Sequence, residues 1–431
     1  MILWIAAGGI VLYAYPGLVS YDSVVQLDQA RHGTFGDWQP PAMAALWRAI
    51  ELVIAGPFGM LLLQIAGLVI GGYLVLREQL APRAAAIAIL AIAWFPPILT
   101  VTGVIWKDGV MVSFMLLGLA ALLSPRPRVR WLAVGALLVA TAVRYNAAAA
   151  TFAPLVLLWG RETPHRIRRY AVASAIWIAI TAASILFNAA LATKQEHPFP
   201  RAAAPQDISG ILHYAPAISD AELKELLAGV PLRPDHDLQK EISARYEPRG
   251  SFVYFEHEAP LIEPSTPAEY TAETRAWRRL VMRYPLAFIQ HRATVFSLVI
   301  QASGRPHVPA LTQTFSYVGT PDLDRELGLD GSPSAIQSAW FWWAHHCGAI
   351  WYAPLVYLVV VLVLVGFVRR IPSAAALVGS CLGYELSIFL LAPAADYRYS
   401  HYLILTTLLA LVIVIAVRYR RRSNTSSSPK M

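Results

Sequence analysis

The chain has 431 residues, 57% of them hydrophobic and only 14% charged, with a mean hydropathy of +0.50. A soluble protein of this length could not hide that much apolar surface, so the composition excludes one and indicates an all-α polytopic membrane protein. The net charge of +8 would fit a nucleic-acid partner, but its distribution argues against one. Sixteen of the 35 Lys and Arg residues lie in five short clusters: Arg77 and Arg83; Arg126, Arg128 and Arg130; Arg161, Arg166, Arg168 and Arg169; Arg369 and Arg370; and Arg418, Arg420, Arg421, Arg422 and Lys430. Only Glu78 and Glu162 oppose them, so these loops carry +14 and the remainder −6. That is the positive-inside pattern, and the basicity reports orientation.

Apolar runs near 1–17, 57–76, 84–104, 109–123, 131–144, 147–160, 170–191, 348–368, 372–392 and 401–417 predict about ten transmembrane helices, alternating so that every basic cluster is cytoplasmic. The first run lacks a basic head and a small-x-small cleavage site, so it reads as a retained span whose true start lies upstream. In the first outer loop, 18–56, Ser23-x-x-Gln26 reads as a capping box and Gly33 as a stop, predicting a short helix over 24–32. Asp22 then sits at its N-terminal end, where the helix dipole favours an ionised carboxylate. Asp28 lies mid-helix and reads as solvated, and Asp37 precedes Trp38-Gln39-Pro40-Pro41.

The turn 105–108 carries Trp106, Lys107 and Asp108. Arg144-Tyr145-Asn146 interrupts the 131–160 run; a single crossing there would carry Arg166, Arg168 and Arg169 outside, so two short spans or a partial-depth hairpin are expected. In the outer segment 192–347, Ser219-x-x-Glu222 opens a helix that stops at Gly229, and Thr266-Pro267-x-Glu269 opens one that runs to Tyr284-Pro285. Between them, 231–265 reads as irregular loop. Residues 286–302 hold His291-Arg292 at their centre, costly in lipid, and are expected to form an interfacial or re-entrant helix. Cys347 and Cys381 read as packing residues with no disulfide. The expected parts are 1–191, an N-terminal transmembrane module with the 18–56 loop; 192–347, the outer segment with its interfacial helix; and 348–431, the C-terminal helices with a basic cytoplasmic tail.

Singly, Asp22 is also explained as a cap, Lys107 as a snorkelling cation and Trp106 as an interfacial belt residue. Together the outer residues are harder to dismiss. Arg144 and the Asp396-Tyr397-Arg398-Tyr399-Ser400-His401 turn put charge beside apolar runs with little polar loop around it, and such groups usually face a protein cavity or a bound polar group. An acidic loop plus the cations Lys107, Arg144, Arg292 and Arg398 suits phosphate binding beside a carboxylate base. The Asp spacings match no compact chelating motif, and His345-His346 cannot easily share one ion, so no cofactor is required; a divalent cation is the alternative.

Tyr21-Asp22-Ser23 followed by Gly33-Thr34-Phe35-Gly36-Asp37-Trp38-Gln39-Pro40-Pro41 resembles the GT-C superfamily of integral-membrane glycosyltransferases, in its protein-mannosyltransferase and aminoarabinose-transferase-like branch. That pattern has an acidic pair after the first span, an aromatic-rich helix and Gly-x-Phe-Asp-x-Pro-Pro. Here Ser23 replaces the second acid, and the spacing before the double Pro is looser. The resemblance implies a polyprenyl-monophosphate sugar donor, a lipid or glycan acceptor and membrane lipids as partners. It implies a periplasmic active site on a bacterial inner membrane. Asp22 carries over as the catalytic candidate and Asp37 as a loop-organising or acceptor-binding residue. Tyr21, Gln26, Trp38 and Tyr397 are expected to contact substrate.

Other classes fit parts of the chain. Glu385, inside the ninth run, is the kind of buried acid a coupled carrier uses, though no repeated halves accompany it. His291 and Arg292 would serve a glycan polymerase or ligase with a pyrophosphate-linked donor, which would release polyprenyl pyrophosphate. A non-catalytic membrane scaffold is the bland alternative.

Overall fold

A computed structural model describes residues 1–159, 166–233, 237–250, 259–302, 321–329, 331, 333–347 and 349–426. Arg161 and Glu162, Lys430, parts of the 231–265 loop and the side chain of Cys347 lie outside the described residues. Among the described residues the chain is helical, with isolated β-bridges and no strand. It divides into two compact units: 1–194 with 305–385 and 398–431, and 195–304 with 386–397.

Among the described residues, four helices are long and apolar enough to cross a membrane: Phe58–Arg77, Ile167–Leu191, Pro372–Leu391 and Tyr397–Arg422. A fifth span forms if Pro82–Ala93 and Pro96–Thr102 count together. Helix length alone does not confirm the ten expected spans, and two of the apolar runs break for local reasons. The 84–104 run is two helices bent by 73°, because Pro96 and Pro97 cannot continue the preceding hydrogen-bond ladder. The 131–160 run breaks at Arg144-Tyr145-Asn146 as expected, into Pro127–Val143 and Ala147–Leu155. The second piece, nine residues, rises only ~14 Å and cannot cross a ~30 Å hydrocarbon core alone. Ile2–Ala14 and Pro354–Val368 are shorter apolar helices.

Close helix approach in the first unit depends on small residues. Phe58–Arg77 passes Lys107–Leu122 so tightly that a Cβ on Gly67 would fall 2.1 Å from the Ser113 Cβ. The Ser113 hydroxyl donates to the carbonyls of Gln64 (3.1 Å) and Gly109 (3.0 Å). Buried Asn188 ties three more helices: it accepts from the Ala42 amide at 2.9 Å and donates to the carbonyls of Ala142 and Ser184.

The second unit packs Ala204–Tyr214, Asp220–Leu226, Leu238–Ala244, Pro267–Arg283 and Pro285–Val299 around Ile208, Ile211, Leu212, Leu223, Ile242, Leu261 and Leu280. Thr266 and Glu269 form the expected capping box. Ser219 accepts from the Glu222 amide, but the Glu222 carboxylate turns to Arg283 and Tyr284 and does not close the box. The 286–302 segment forms Pro285–Val299, whose 15 residues stop short of a span.

A buried polar hub holds this unit. Asp207, fully buried, accepts from Arg292 (2.6 Å), Trp277 Nε1 (2.7 Å) and His291 Nε2 (3.1 Å), and the Tyr246 hydroxyl meets His291 Nδ1 at 2.8 Å. Burial pushes the imidazole of His291 below its ordinary pKa, against the opposing pull of Asp207. Arg292 also donates to the Ala392 carbonyl at 2.7 Å. Gly210 makes room for the ring, since a Cβ there would lie 2.0 Å from His291 Nδ1.

Two stability predictions follow from these approaches. Gly67→Val should lower stability by about 1–3 kcal/mol through overpacking, read as a lower Tm in detergent; an unchanged Tm would contradict the packing. Gly210→Ala should displace His291 and disorder the hub, seen as faster proteolysis within 195–304; wild-type resistance would show that the ring has room to move.

Candidate active site

The first loop and the turn before Lys107 are laced by backbone bonds. The Leu18 amide donates to Gly103 O (3.1 Å) and the Ile105 amide donates to Leu18 O (2.8 Å). Side chains tighten the join. Ser23 Oγ donates to Ile105 O at 2.6 Å, Trp106 Nε1 donates to Ser20 Oγ at 2.6 Å, and Gln64 brackets the turn, donating to Thr102 O and Val104 O while accepting from the Trp106 amide. The helix runs Tyr21–His32 and stops at Gly33. Its cap is Ser20, whose amide donates to Ser23 Oγ. This corrects the expected Ser23–Gln26 box: Ser23 lies one turn inside the helix, and its hydroxyl proton is committed to Ile105.

Asp22 therefore sits in the first turn, near free helix amides. Its carboxylate accepts from Arg398 at 2.6 Å and lies 4.0 Å from Lys107 Nζ. Lys107 also donates to Gln39, which is buried. Arg144 is 2.9 Å from Asp108 and donates to the Tyr384 hydroxyl at 2.6 Å, all three side chains being buried. The Tyr399 ring lies under both arginines, 5.0 Å from the Arg144 guanidinium carbon and 5.8 Å from that of Arg398, while Trp106 lies 5.1 Å from Arg398.

Burial alone would raise the pKa of Asp22, but Arg398, then Lys107 and Arg144, outweigh it and hold the carboxyl below its ordinary 3.8. Lys107, just ahead of the 109–123 apolar run, is lowered to about 8, chiefly by burial and against the pull of Asp22. Lys107 and Arg398 thus both approach the Asp22 carboxylate, and Arg144 approaches Asp108.

The structure brings Asp22, Lys107, Arg144 and Arg398 together. Tyr21, half exposed, opens the same helix. Gln26 lies one turn beyond Asp22; it is buried, and neither atom of its amide has a hydrogen-bond partner among the described residues. Asp37 is placed separately. Its amide donates to Lys194 O at 3.2 Å, and its charge, after burial, raises the Tyr145 phenol. Trp38 beside it is exposed. Arg292 and Tyr397 belong to the second unit, where Arg292 is committed to Asp207 and Ala392. Sequence reasoning missed Asp108, Gln39, Gln64, Tyr384 and Tyr399. A second charge beside Lys107 and a lone amide within the 57–76 run were available signals for Asp108 and Gln64; Tyr384 offered none. Among the described residues, no group of three or more His, Cys, Asp or Glu could hold a metal ion.

No protein-family model matches the chain, and no curated protein sequence does. Among solved structures it is similar to an Archaeoglobus fulgidus oligosaccharyltransferase complexed with Zn and sulfate, at 13% identity over 98% of this chain and 49% of that one, TM-score 0.40. It is also similar to oligosaccharyltransferase AglB of Archaeoglobus fulgidus with an inhibitory peptide and a dolichol-phosphate (14% identity, 100% and 52% coverage, TM-score 0.41). A third is ArnT of Cupriavidus metallidurans bound to undecaprenyl phosphate (16%, 100% and 81%, TM-score 0.36). The chain spans about half the length of the oligosaccharyltransferases. At these TM-scores the likeness is loose.

Proposed function

We propose that this protein is a membrane glycosyltransferase that moves a sugar from a polyprenyl-monophosphate donor to an acceptor hydroxyl at the outer face of a bacterial inner membrane. The observation that supports this reading is an ionised carboxylate held beside two cations, Asp22 with Arg398 and Lys107. A donor phosphodiester carries one negative charge. The acceptor oxygen attacks the anomeric carbon with inversion as the bond from that carbon to the phosphate oxygen breaks. The acceptor proton passes to Asp22, and the leaving polyprenyl phosphate, now near −2, is stabilised by cations already in place.

The low resting pKa of Asp22 makes it a weak base in the free protein. A donor phosphate would draw Arg398 and Lys107 toward itself, and losing part of that stabilisation raises the basicity of Asp22 when substrate is present. Asp37 is proposed to organise the acceptor side of the loop, and Gln26, its amide unpartnered, to contact substrate. Arg144, matched by Asp108, holds the surrounding aromatic and cationic groups in register.

A carrier is favoured by one observation. Glu385 is buried, and neither carboxylate oxygen has a hydrogen-bond partner among the described residues. Transfer does not need that group, so Glu385→Gln should keep sugar transfer; solute uptake by the wild type that Glu385→Gln abolishes would favour the carrier.

Labelled polyprenyl-monophosphate sugars supplied to the protein in liposomes test the reaction. Asp22→Asn should fold normally by Tm and lose about 100-fold or more in turnover; equal turnover in the two proteins would remove Asp22 as the base. The pH profile gives a second check. kcat/KM should fall above pH about 8 as Lys107 loses its proton, and Lys107→Arg should move that limb to higher pH. A profile flat through that region would separate Lys107 from donor binding.

A further inference from the structure

The second unit contains a groove of about 610 Å³, within the range of small-molecule sites, and all its lining residues come from that unit. One wall is aromatic. His197 and Tyr270 lie with ring centroids 4.2 Å apart and planes inclined by 34°, and Phe199 meets Trp277 edge-on at 5.0 Å. The Pro267–Arg283 helix, which carries Tyr270, also presents Thr271, Thr274, Arg275 and Arg278 to the groove.

The charge of this groove is one-sided. Among the described residues, no carboxylate lines it. Arg275 and Arg278, three residues apart on one helix face, are exposed and make no hydrogen bond or ion pair among the described residues. Neighbouring Arg201 is neutralised by Glu263, and Arg283 by Glu222. The hydroxyls of Thr271 and Thr274 donate to the carbonyls of Pro267 and Tyr270 at 2.8 and 2.9 Å, so their lone pairs remain to accept from a ligand hydroxyl. An aromatic face for the apolar side of a sugar ring, hydroxyl acceptors at its edge and two unmatched guanidiniums for an anion form a specific combination.

We propose that this groove binds an anionic carbohydrate. The anionic group is bound by Arg275 and Arg278, and the sugar ring lies on the His197–Tyr270 surface. Two sources supply this chemistry: the phosphorylated head group of a lipid-linked glycan, and an acidic polysaccharide bearing uronates.

The test is calorimetric titration of the full chain in nanodiscs of zwitterionic lipid with glucose 6-phosphate, tetragalacturonate, neutral maltotetraose and inorganic phosphate. At least one anionic sugar should bind about 10-fold or more tightly than maltotetraose. The Arg275→Gln/Arg278→Gln double variant, altered only at exposed positions, should keep its Tm and lose that preference. Tyr270→Ala should weaken sugar binding without changing the response to inorganic phosphate. Preference for glucose 6-phosphate assigns the site to phosphorylated head groups, and preference for tetragalacturonate assigns it to uronate glycans. The proposal is overturned if neither anionic sugar exceeds maltotetraose, if the double variant binds like wild type, or if inorganic phosphate binds as tightly as the sugars. Binding is read without any transfer reaction, so failure here leaves the Asp22 assignment untouched, and failure of that assignment leaves this one.

Discussion

The ion pair between Asp22 and Arg398 joins residues 376 positions apart and sets the first unit's chemistry. Both side chains are largely shielded from solvent, and a shielded charge is tolerated only when paired and hydrogen-bonded. The pair therefore fixes the first-loop helix against the start of the last helix. Once Asp22 is held, the turn 103–106 must hold Lys107 beside it. Ser23, Trp106 and Gln64 do this with bonds of 2.6–3.2 Å. The aromatic rings of Trp106 and Tyr399 flank the guanidinium and add cation–π attraction.

The balance of charge follows from that arrangement. Asp108 neutralises Arg144 deep in the helical packing, while Lys107 and Arg398 share a single carboxylate. The site thus gathers two cations around a carboxylate that stays ionised at neutral pH. The second unit handles charge differently. Asp207 is saturated by Arg292, His291 and Trp277, a closed structural network, whereas among the described residues Arg275 and Arg278 remain unmatched at the surface.

Features governed by neighbouring residues were legible in the sequence. Gly33 stops the loop helix, Thr266 and Glu269 cap theirs, Tyr284-Pro285 divides two helices, and Arg144-Tyr145-Asn146 breaks a long apolar run. Features set by partners far away were not. Ser23 reads locally as a cap, but its hydroxyl serves Ile105, 82 residues on. Arg292 reads as a phosphate ligand until Asp207 is seen beside it. Hydropathy does not record where proline ends the hydrogen-bond ladder, so the 84–104 run read as one straight helix although it bends at Pro96. The grouping of Asp22 with Lys107, Arg144 and Arg398 was expected from charge at apolar-run ends. Their division into one matched and one shared set required the folded chain.

The most direct measurement is an infrared difference spectrum of the Asp22 carboxylate, identified by its loss in Asp22→Asn, as sugar-free polyprenyl monophosphate is added to the protein in nanodiscs. If a lipid phosphate shares Arg398 and Lys107 with Asp22, the carboxylate band will shift and its titration will move to higher pH. Binding of the lipid with an unchanged Asp22 band and titration would show that the phosphate sits elsewhere, and would contradict a donor site built around this ion pair.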